Sequence, residues 1–524
     1  MTQVLLLDEL DGDVHTKTAD VCIVGAGAAG LFLMSRLRDS GLRIVVLEAG
    51  PRVPVDPDDA GMQAEFVGDV YRGATDGRFF GLGGTTSRWG GQFLPFRSSD
   101  ARRGPEGYGD SWRHVIAVAD LHGAIVSDAL GLPTEFCAPR TVDGRQAEIN
   151  NRLETQGLAC VSSAWLPFGR RNLSWLAHQR PSKSTEARIY CNAVAAQWHL
   201  VQANDGIAQV AQVEARSRMG KRLRIKASHF VVAVGAIESS RVLQEINLAG
   251  AGRVVHPKAA LGRYLSDHLS FRAADVAAAS RRQVASTFGP TFEQGIMRTP
   301  RWTETCPAPN SLRFFAQLIF DVDTSGFRLA RKVLIDLQAR RVPSPSIGEL
   351  AKGAGSLLQL GWTKWAQSKL YIPPGTSCHV QLDMEQRPHS ENRITLAGSI
   401  DSYGRPVSVI QWKVTDNDLL DASIVTSSFL SRWKAAGQDL PQLLQAEIGD
   451  DSTKPNDVYH PVGTCRLGDD AEAVVGLDLR VHGIRNTYVL STAIFPSAGT
   501  ANPTYNLLCF AEMLASGLRK ACEV

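Results

Sequence analysis

Apolar runs alternate with amphipathic stretches along this chain, and the most legible lies near its start. Val21-Cys22-Ile23-Val24 has no polar interruption, the pattern of a parallel strand covered on both faces. Leu31, Leu33 and Leu37 suit a helix packed on that sheet, with Gly41 as its stop. Ile44-Val45-Val46-Leu47 is a second buried strand closing on Glu48, so the opening is a βαβ unit. Residues 189–235 alternate through Ile189, Cys191, Val194, Val210, Val213, Leu223 and Ile225, with turn signals at Asn204-Asp205-Gly206 and Met219-Gly220. They predict a small antiparallel meander that runs into another buried strand, Phe230–Gly235, and a helix through Leu243. Residues 376–414 alternate again, predicting an antiparallel sheet distinct from the opening unit. Trp112, Trp165 and Trp175 read as anchors of the core or its edge. Between 320 and 372, two helical patches interleave Leu, Phe and Trp with Arg328, Arg331, Lys332, Arg340, Arg341, Lys352, Lys364 and Lys369. The pattern predicts a solvated face over a core stripe, with a membrane-surface helix as the alternative.

At 524 residues, two or three compact units are expected. An apolar content of 44% with 21% charged residues is ordinary for a globular protein. A net charge of +3 gives no argument for a nucleic-acid partner. Nine scattered cysteines without CxxC spacing indicate neither a zinc knuckle nor an iron–sulfur cluster, so no metal is expected, and they favour a reducing compartment. Val4–Leu7 is too short for a signal sequence and nothing approaches a membrane span, so a cytoplasmic protein is expected.

Gly25-x-Gly27-x-x-Gly30 follows a strand, opens a helix and precedes Glu48 at the next strand end. In that context the glycines let backbone amides approach a pyrophosphate, and Glu48 can accept from a ribose diol. The motif alone does not separate FAD from NAD. A second glycine concentration, Gly81–Gln92, holds Trp89 between glycines, which argues for packing against something flat. His460, between Tyr459 and Pro461, suits a loop, where a neutral imidazole can take a hydroxyl proton. Asn502 precedes Pro503 and a helical run through Leu507, Leu508, Phe510, Ala511 and Leu514, an ordinary N-cap pattern. Cap and catalytic roles coexist if that helix end faces a cofactor. His268 and His379 read as packing or surface residues.

With these motifs in order, the chain resembles the glucose–methanol–choline (GMC) family of FAD-dependent oxidoreductases over nearly its whole length. Gly25–Gly30 with Glu48, Gly81–Gln92, Val234–Leu243, Leu261–His268, and His460–Gly468 with Asn502–Thr504 carry the resemblance. Gly83-Gly84, Trp89–Gln92, Glu385-Gln386 and Ala501–Thr504 look closest to pyranose oxidases and bacterial glycoside 3-oxidases. Arg88 stands where some pyranose oxidases have a histidine bonded to FAD, so non-covalent FAD is expected. Leu467 replaces the common methionine, and Ser491-Thr492 departs from the usual residue near the cofactor.

The resemblance implies an α/β fold: a discontinuous Rossmann-like FAD domain over 1–100, 185–275 and 455–524. An α+β substrate domain with an antiparallel sheet would occupy 101–184 and 276–454. It assigns cofactor contacts to Gly25, Gly27, Ala28, Gly30, Glu48, Gly83, Gly84, Thr85, Trp89, Gly90, Gly91, Gln92, Val194, Ala233, Gly235, Ala493, Asn502, Pro503 and Thr504. Gln92, Glu385, His460 and Asn502 are expected at the substrate. The implied reaction oxidises a secondary alcohol, a sugar or glycoside ring hydroxyl, to a ketone. Hydride would pass to flavin N5, with His460 as base and Asn502 orienting the hydroxyl. A cyanohydrin-type lyase on the same scaffold is the alternative. The electron acceptor stays open among oxygen, a quinone and a carrier protein.

Overall fold

The computed structural model describes residues 2–523 apart from 103–108, 134, 137, 139–143, 180–185, 204, 306–311 and 450–452. Asn204 of the expected turn, Cys137 and Cys306 lie outside the described residues.

The opening pattern folds as its periodicity dictates. Val14–Val24, the helix Ala28–Leu37 and Ile44–Leu47 form the βαβ unit, with Val21 opposite Ile44 and Val24 opposite Leu47. The helix ends at Leu37, ahead of Gly41. These strands belong to an eight-stranded sheet ordered Gln3–Leu6, Ala187–Cys191, Ile44–Leu47, Val14–Val24, Arg222–Val232, Ala208–Arg216, Val194–Gln202, with Thr487–Val489 also on Arg222–Val232. All are parallel up to Arg222–Val232 and Thr487–Val489; the last two of the series are antiparallel.

Two expectations are corrected here. Ile189 and Cys191 belong to the parallel sheet, not to the meander, which comprises Val194–Gln202, Ala208–Arg216 and Arg222–Val232. Phe230–Val232 is the continuation of the strand that carries Leu223 and Ile225. One eleven-residue strand leaves the half-exposed ribbon, where its faces alternate, and enters the parallel centre, where both faces are covered. The following helix extends to Ala249.

The second sheet has nine strands. Its main path runs Leu443–Gln445, His268–Val276, Cys378–Glu385, Phe314–Phe320, Ile296–Glu304, Leu158–Trp165, Gln92–Phe93. The strand Cys378–Glu385 sits here, whereas Arg393–Ile400 and Pro406–Trp412 pair with Ala64–Gly68 in a separate three-stranded sheet. Residues 376–414 are therefore split between sheets; Pro388, which cannot donate to a ladder, lies in the break.

The period of two divides the large sheet's faces. Leu269, Phe271, Leu382, Met384, Phe314 and Trp302 pack with Phe429 and Trp433 in a hydrophobic core. The opposite face carries His268 across from Glu385, Ser270 across from Asp383, and Phe315 and Gln317 across from Asp383 and Gln381. Gln92 donates to Ser163 Oγ at 2.8 Å, and Ser163 Oγ lies 2.7 Å from Thr299 Oγ1. A buried polar face is an unusual use of a sheet and needs a polar occupant or a network of its own.

The basic region folds as two helices, Ser325–Gln338 and Ile347–Gln367. The expected core stripe is not there. Gly353 is the single buried residue of the second helix. Close approach of Gly326 to Gly353 joins the helices, with buried Leu329 of the first packed on Gly353 and Trp362 and Trp365 of the second left outside the contact.

Candidate active site

A cleft runs along the carboxyl ends of the parallel strands. Ala28, Val194 and Thr504 line it, as do Gly84, Thr85, Trp89, Ala233 and Gly235. Gly25 and Gly27 form its floor, and the two glycines do different work. Gly25 has φ +105°, and a Cβ there would lie 2.4 Å from the Ala233 carbonyl oxygen. Gly27 is the helix N-cap, has no side-chain cap, and a Cβ there would meet nothing within 4 Å. An uncapped helix start facing free space is a ready anion site, so the cradle fits a dinucleotide pyrophosphate.

Glu48 lines the same cleft and is 5% exposed. Its carboxylate accepts from the amides of Ala26 (2.7 Å), Gly50 (3.0 Å) and Gly81 (2.8 Å). It therefore ties the glycine turn, its own strand end and the second glycine segment together. Burial pushes its pKa up, against the pull of those amides. A carboxylate has about four lone-pair sites, so three amides leave room for a ribose hydroxyl.

Several expected contacts serve the cleft from behind rather than lining it. Gly30 packs against the Gly25 carbonyl, where a Cβ would come within 2.0 Å. Gly83 donates to the Ala26 carbonyl at 2.9 Å. Gly90 and Gly91 meet Trp165 and Arg171, and the Ala493 carbonyl accepts from the Cys465 amide at 3.0 Å. Arg88 lies over Phe79 at 5.5 Å.

Tyr459 and Pro461 both line the cleft, with His460 between them in sequence. Tyr459 has φ +67°, a strained backbone for a residue with a bulky side chain. Asp267 holds this segment: its oxygens accept from the His460 amide at 3.0 and 2.9 Å and from the His268 amide at 2.7 Å. The Tyr71 hydroxyl donates to the same carboxylate. Burial and the Asp457 carboxylate push the Asp267 pKa well up, opposed by those donors.

The expectation that His268 is a packing or surface residue is corrected. It is wholly buried, and its Nδ1 lies 3.2 Å from Nδ1 of half-buried His460. Its Nε2 is 3.0 Å from the Gly499 carbonyl oxygen. A carbonyl only accepts, so Nε2 of His268 carries a proton. Burial lowers the His268 pKa and keeps the ring neutral, which leaves its Nδ1 bare. His460 Nδ1 must then donate, and His460 Nε2 is the unprotonated nitrogen. Burial and the facing His268 ring push the His460 pKa down to about 3. His379 stands apart, 3.7 Å from Asp321.

Gly499 is fixed in turn. Its amide donates at 3.2 Å to Glu385, whose carboxylate takes Arg313 Nη1 at 2.7 and 2.8 Å. Glu385, expected at the substrate, is thus engaged by Arg313 and by the backbone that orients His268. Asn502, three residues on, precedes the helix Pro503–Glu523. Its Oδ1 is buried and has no hydrogen-bond partner in the protein, so the expected N-cap bond is not made. A buried carboxamide oxygen left open costs stability unless a ligand hydroxyl or water meets it. Asp267, Tyr71 and Arg313 are site residues that no sequence expectation named; the signal for the first lay in Leu261–His268.

A family model described as GMC oxidoreductase matches residues 388–511, and one described as NAD(P)-binding Rossmann-like domain matches 23–54. The chain is 23% identical to 6'''-hydroxyparomomycin C oxidase of Streptomyces lividus, over 95% of this chain and 91% of that one. It is 23% identical to pyridoxine 4-oxidase of Microbacterium luteolum, over 95% and 99%. A solved structure concerned with FAD modification in Aspergillus oryzae RIB40 formate oxidase superposes with a TM-score of 0.54 at 14% identity, covering 97% of this chain and 99% of that chain.

Proposed function

Because the chain belongs to the GMC oxidoreductase family, FAD enzymes acting on CH–OH groups, we propose that it oxidises a ring hydroxyl of a sugar or glycoside to a ketone, with His460 as the base. The observation that carries this reading is the His460–His268–Gly499 relay, which leaves His460 Nε2 bare beside the cleft. The S. lividus relative is by name an oxidase of 6'''-hydroxyparomomycin C, which supports a hydroxyl-bearing substrate of the sugar or glycoside class.

FAD, when bound, supplies the hydride acceptor. The protein does the rest. Its parallel strands fall within 1–100, 185–275 and 455–524, which we assign to FAD; Gln92–Phe93 and His268–Val276 from those ranges join the second sheet. The polar face of that sheet, with Gln92, Ser163, Thr299, Gln317, Gln381 and Asp383, gives sugar hydroxyls partners in a buried setting. Asn502 Oδ1 accepts from the reacting hydroxyl or a neighbour and fixes its direction. His460 Nε2 removes the hydroxyl proton as the carbon loses hydride, so the C–O bond becomes a carbonyl and the proton rests on the imidazole. The imidazolium still donates through Nδ1 to His268, so the ring does not turn.

Anaerobic mixing of the holoenzyme with a panel of sugars, glycosides and simple alcohols tests this. Bleaching of the flavin by a sugar or glycoside, with a ketone product, is expected. An aldehyde product would move the reacting carbon off the ring. Turnover with the flavin still oxidised would instead establish lyase chemistry.

A further inference from the structure

We propose that the outer face of the helical pair Ser325–Gln338 and Ile347–Gln367 docks on an anionic lipid surface, an inference that stands apart from the substrate reading above. Ile347, Leu350, Ala351, Ala354, Leu358, Trp362 and Trp365 recur at three- and four-residue steps. They occupy one stripe of the second helix. The stripe faces away from the first helix, which is met instead by Gly353, Ser356 and Leu357. Ile347 is 87% exposed, Leu358 75%, Trp362 62% and Trp365 78%. At 1.5 Å per residue the stripe is about 27 Å long. Val342, between the helices, and Leu337, near the end of the first, are exposed apolar residues as well. A continuous apolar ridge of this kind marks an interaction surface.

Charge decides the occupant. Residues 325–369 hold eight Lys or Arg and only two acidic residues, Asp336 and Glu349. The segment is therefore at +6 inside a chain of +3, so the remainder is net negative. Glu349 is spent on the helix's capping box and on Lys332. A second copy of this chain would bring two strongly positive segments together, a repulsive arrangement. An anionic bilayer attracts the basic flank and accepts the apolar ridge, and it orients the negative remainder outward. Trp362 and Trp365, rings 5.3 Å apart at the end of the ridge, suit the headgroup boundary. No helix among the described residues is long and apolar enough to cross a membrane, so the contact is with the surface. Gln338, the last residue of the first helix, donates to the carbonyls of Thr86 (3.0 Å) and Trp89 (2.8 Å). The docking element is thereby fastened to the loop that lines the cofactor cleft.

The test is co-sedimentation of the holoprotein with phosphatidylcholine vesicles, with and without phosphatidylglycerol. Binding is expected only with phosphatidylglycerol. It should weaken by about tenfold or more with added salt, and it should be lost in Leu358→Glu and in Trp362→Ser/Trp365→Ser. Those variants should keep flavin content, melting temperature and flavin reduction by substrate, since none of the three residues touches the cleft. Tryptophan emission should shift to the blue on the anionic vesicles. Failure to bind them, or binding that survives both variants, overturns the proposal. So does a salt-stable oligomer that the same substitutions dissolve, which would make a second copy the occupant.

Discussion

Nδ1 of His268 faces Nδ1 of His460 at 3.2 Å, and the Gly499 carbonyl on the far side of His268 sets which of the two carries the shared proton. His268→Ala removes the acceptor and lets His460 sample both tautomers. The rate of flavin reduction should fall about tenfold to a hundredfold, the cost of losing an orienting partner. The facing ring also helps hold the His460 pKa at about 3. Its loss should let that pKa rise, so the acid limb of the pH profile moves toward neutrality. His268→Asn, which can still accept through its carboxamide oxygen, should recover part of the rate. An unmoved acid limb in His268→Ala would reduce His268 to packing.

His460→Ala should keep the flavin spectrum, because His460 is not part of the glycine cradle and does not itself line the cleft. Single-turnover reduction should slow by about 10²- to 10⁴-fold, the usual worth of a positioned base. Stopped-flow bleaching at saturating substrate reads this directly, and an unchanged rate would remove His460 from the base role.

Two glycine variants separate folding from cofactor binding. Gly30→Ala forces a Cβ to 2.0 Å from the Gly25 carbonyl oxygen, so the strand–helix turn must shift and soluble yield should drop. Gly27→Ala meets nothing within 4 Å and should fold, but its methyl fills the space left for the pyrophosphate. FAD affinity should weaken by about tenfold or more, worth about 1.4 kcal/mol or more. Titration of the apoprotein with FAD checks it; equal affinity would place the phosphates elsewhere.

Protonation supplies a further expectation. Burial lowers the folded-state pKa of both His268 and His460 below the ordinary value near 6.5. Below the ordinary value the unfolded chain binds more protons than the folded one, so stability falls as pH drops below about 6.5, and the His460 share of the loss levels off near about 3. Thermal unfolding across this range should show the decline. It should be shallower in a His268→Leu variant, which has one titrating ring fewer.

How much of this was legible in the sequence depended on distance along the chain. The glycine turn and Glu48 were readable because strand, turn and helix are contiguous, and local sterics fix them. His460 was readable from its flanking proline and glycine. Its partner was not, since His268 lies 192 positions away and only the paired strands bring the rings together. Ile189 was misplaced because a buried strand flanked on both sides shows the same short apolar run whichever direction its neighbours take. The basic helices failed for a different reason. Periodicity locates an apolar stripe but not what covers it, and here two glycines brought the backbones together and left Trp362 and Trp365 outside.

The order of strands in the parallel sheet has a kinetic consequence. Its two central members, Val14–Val24 and Arg222–Val232, pair across some two hundred intervening residues, and Thr487–Val489 joins them from far later still. Closing such loops costs entropy before any contact repays it, which slows folding and prolongs exposure of aggregation-prone intermediates. Refolding from denaturant should therefore be sluggish, and FAD should bind only once the last strand has docked.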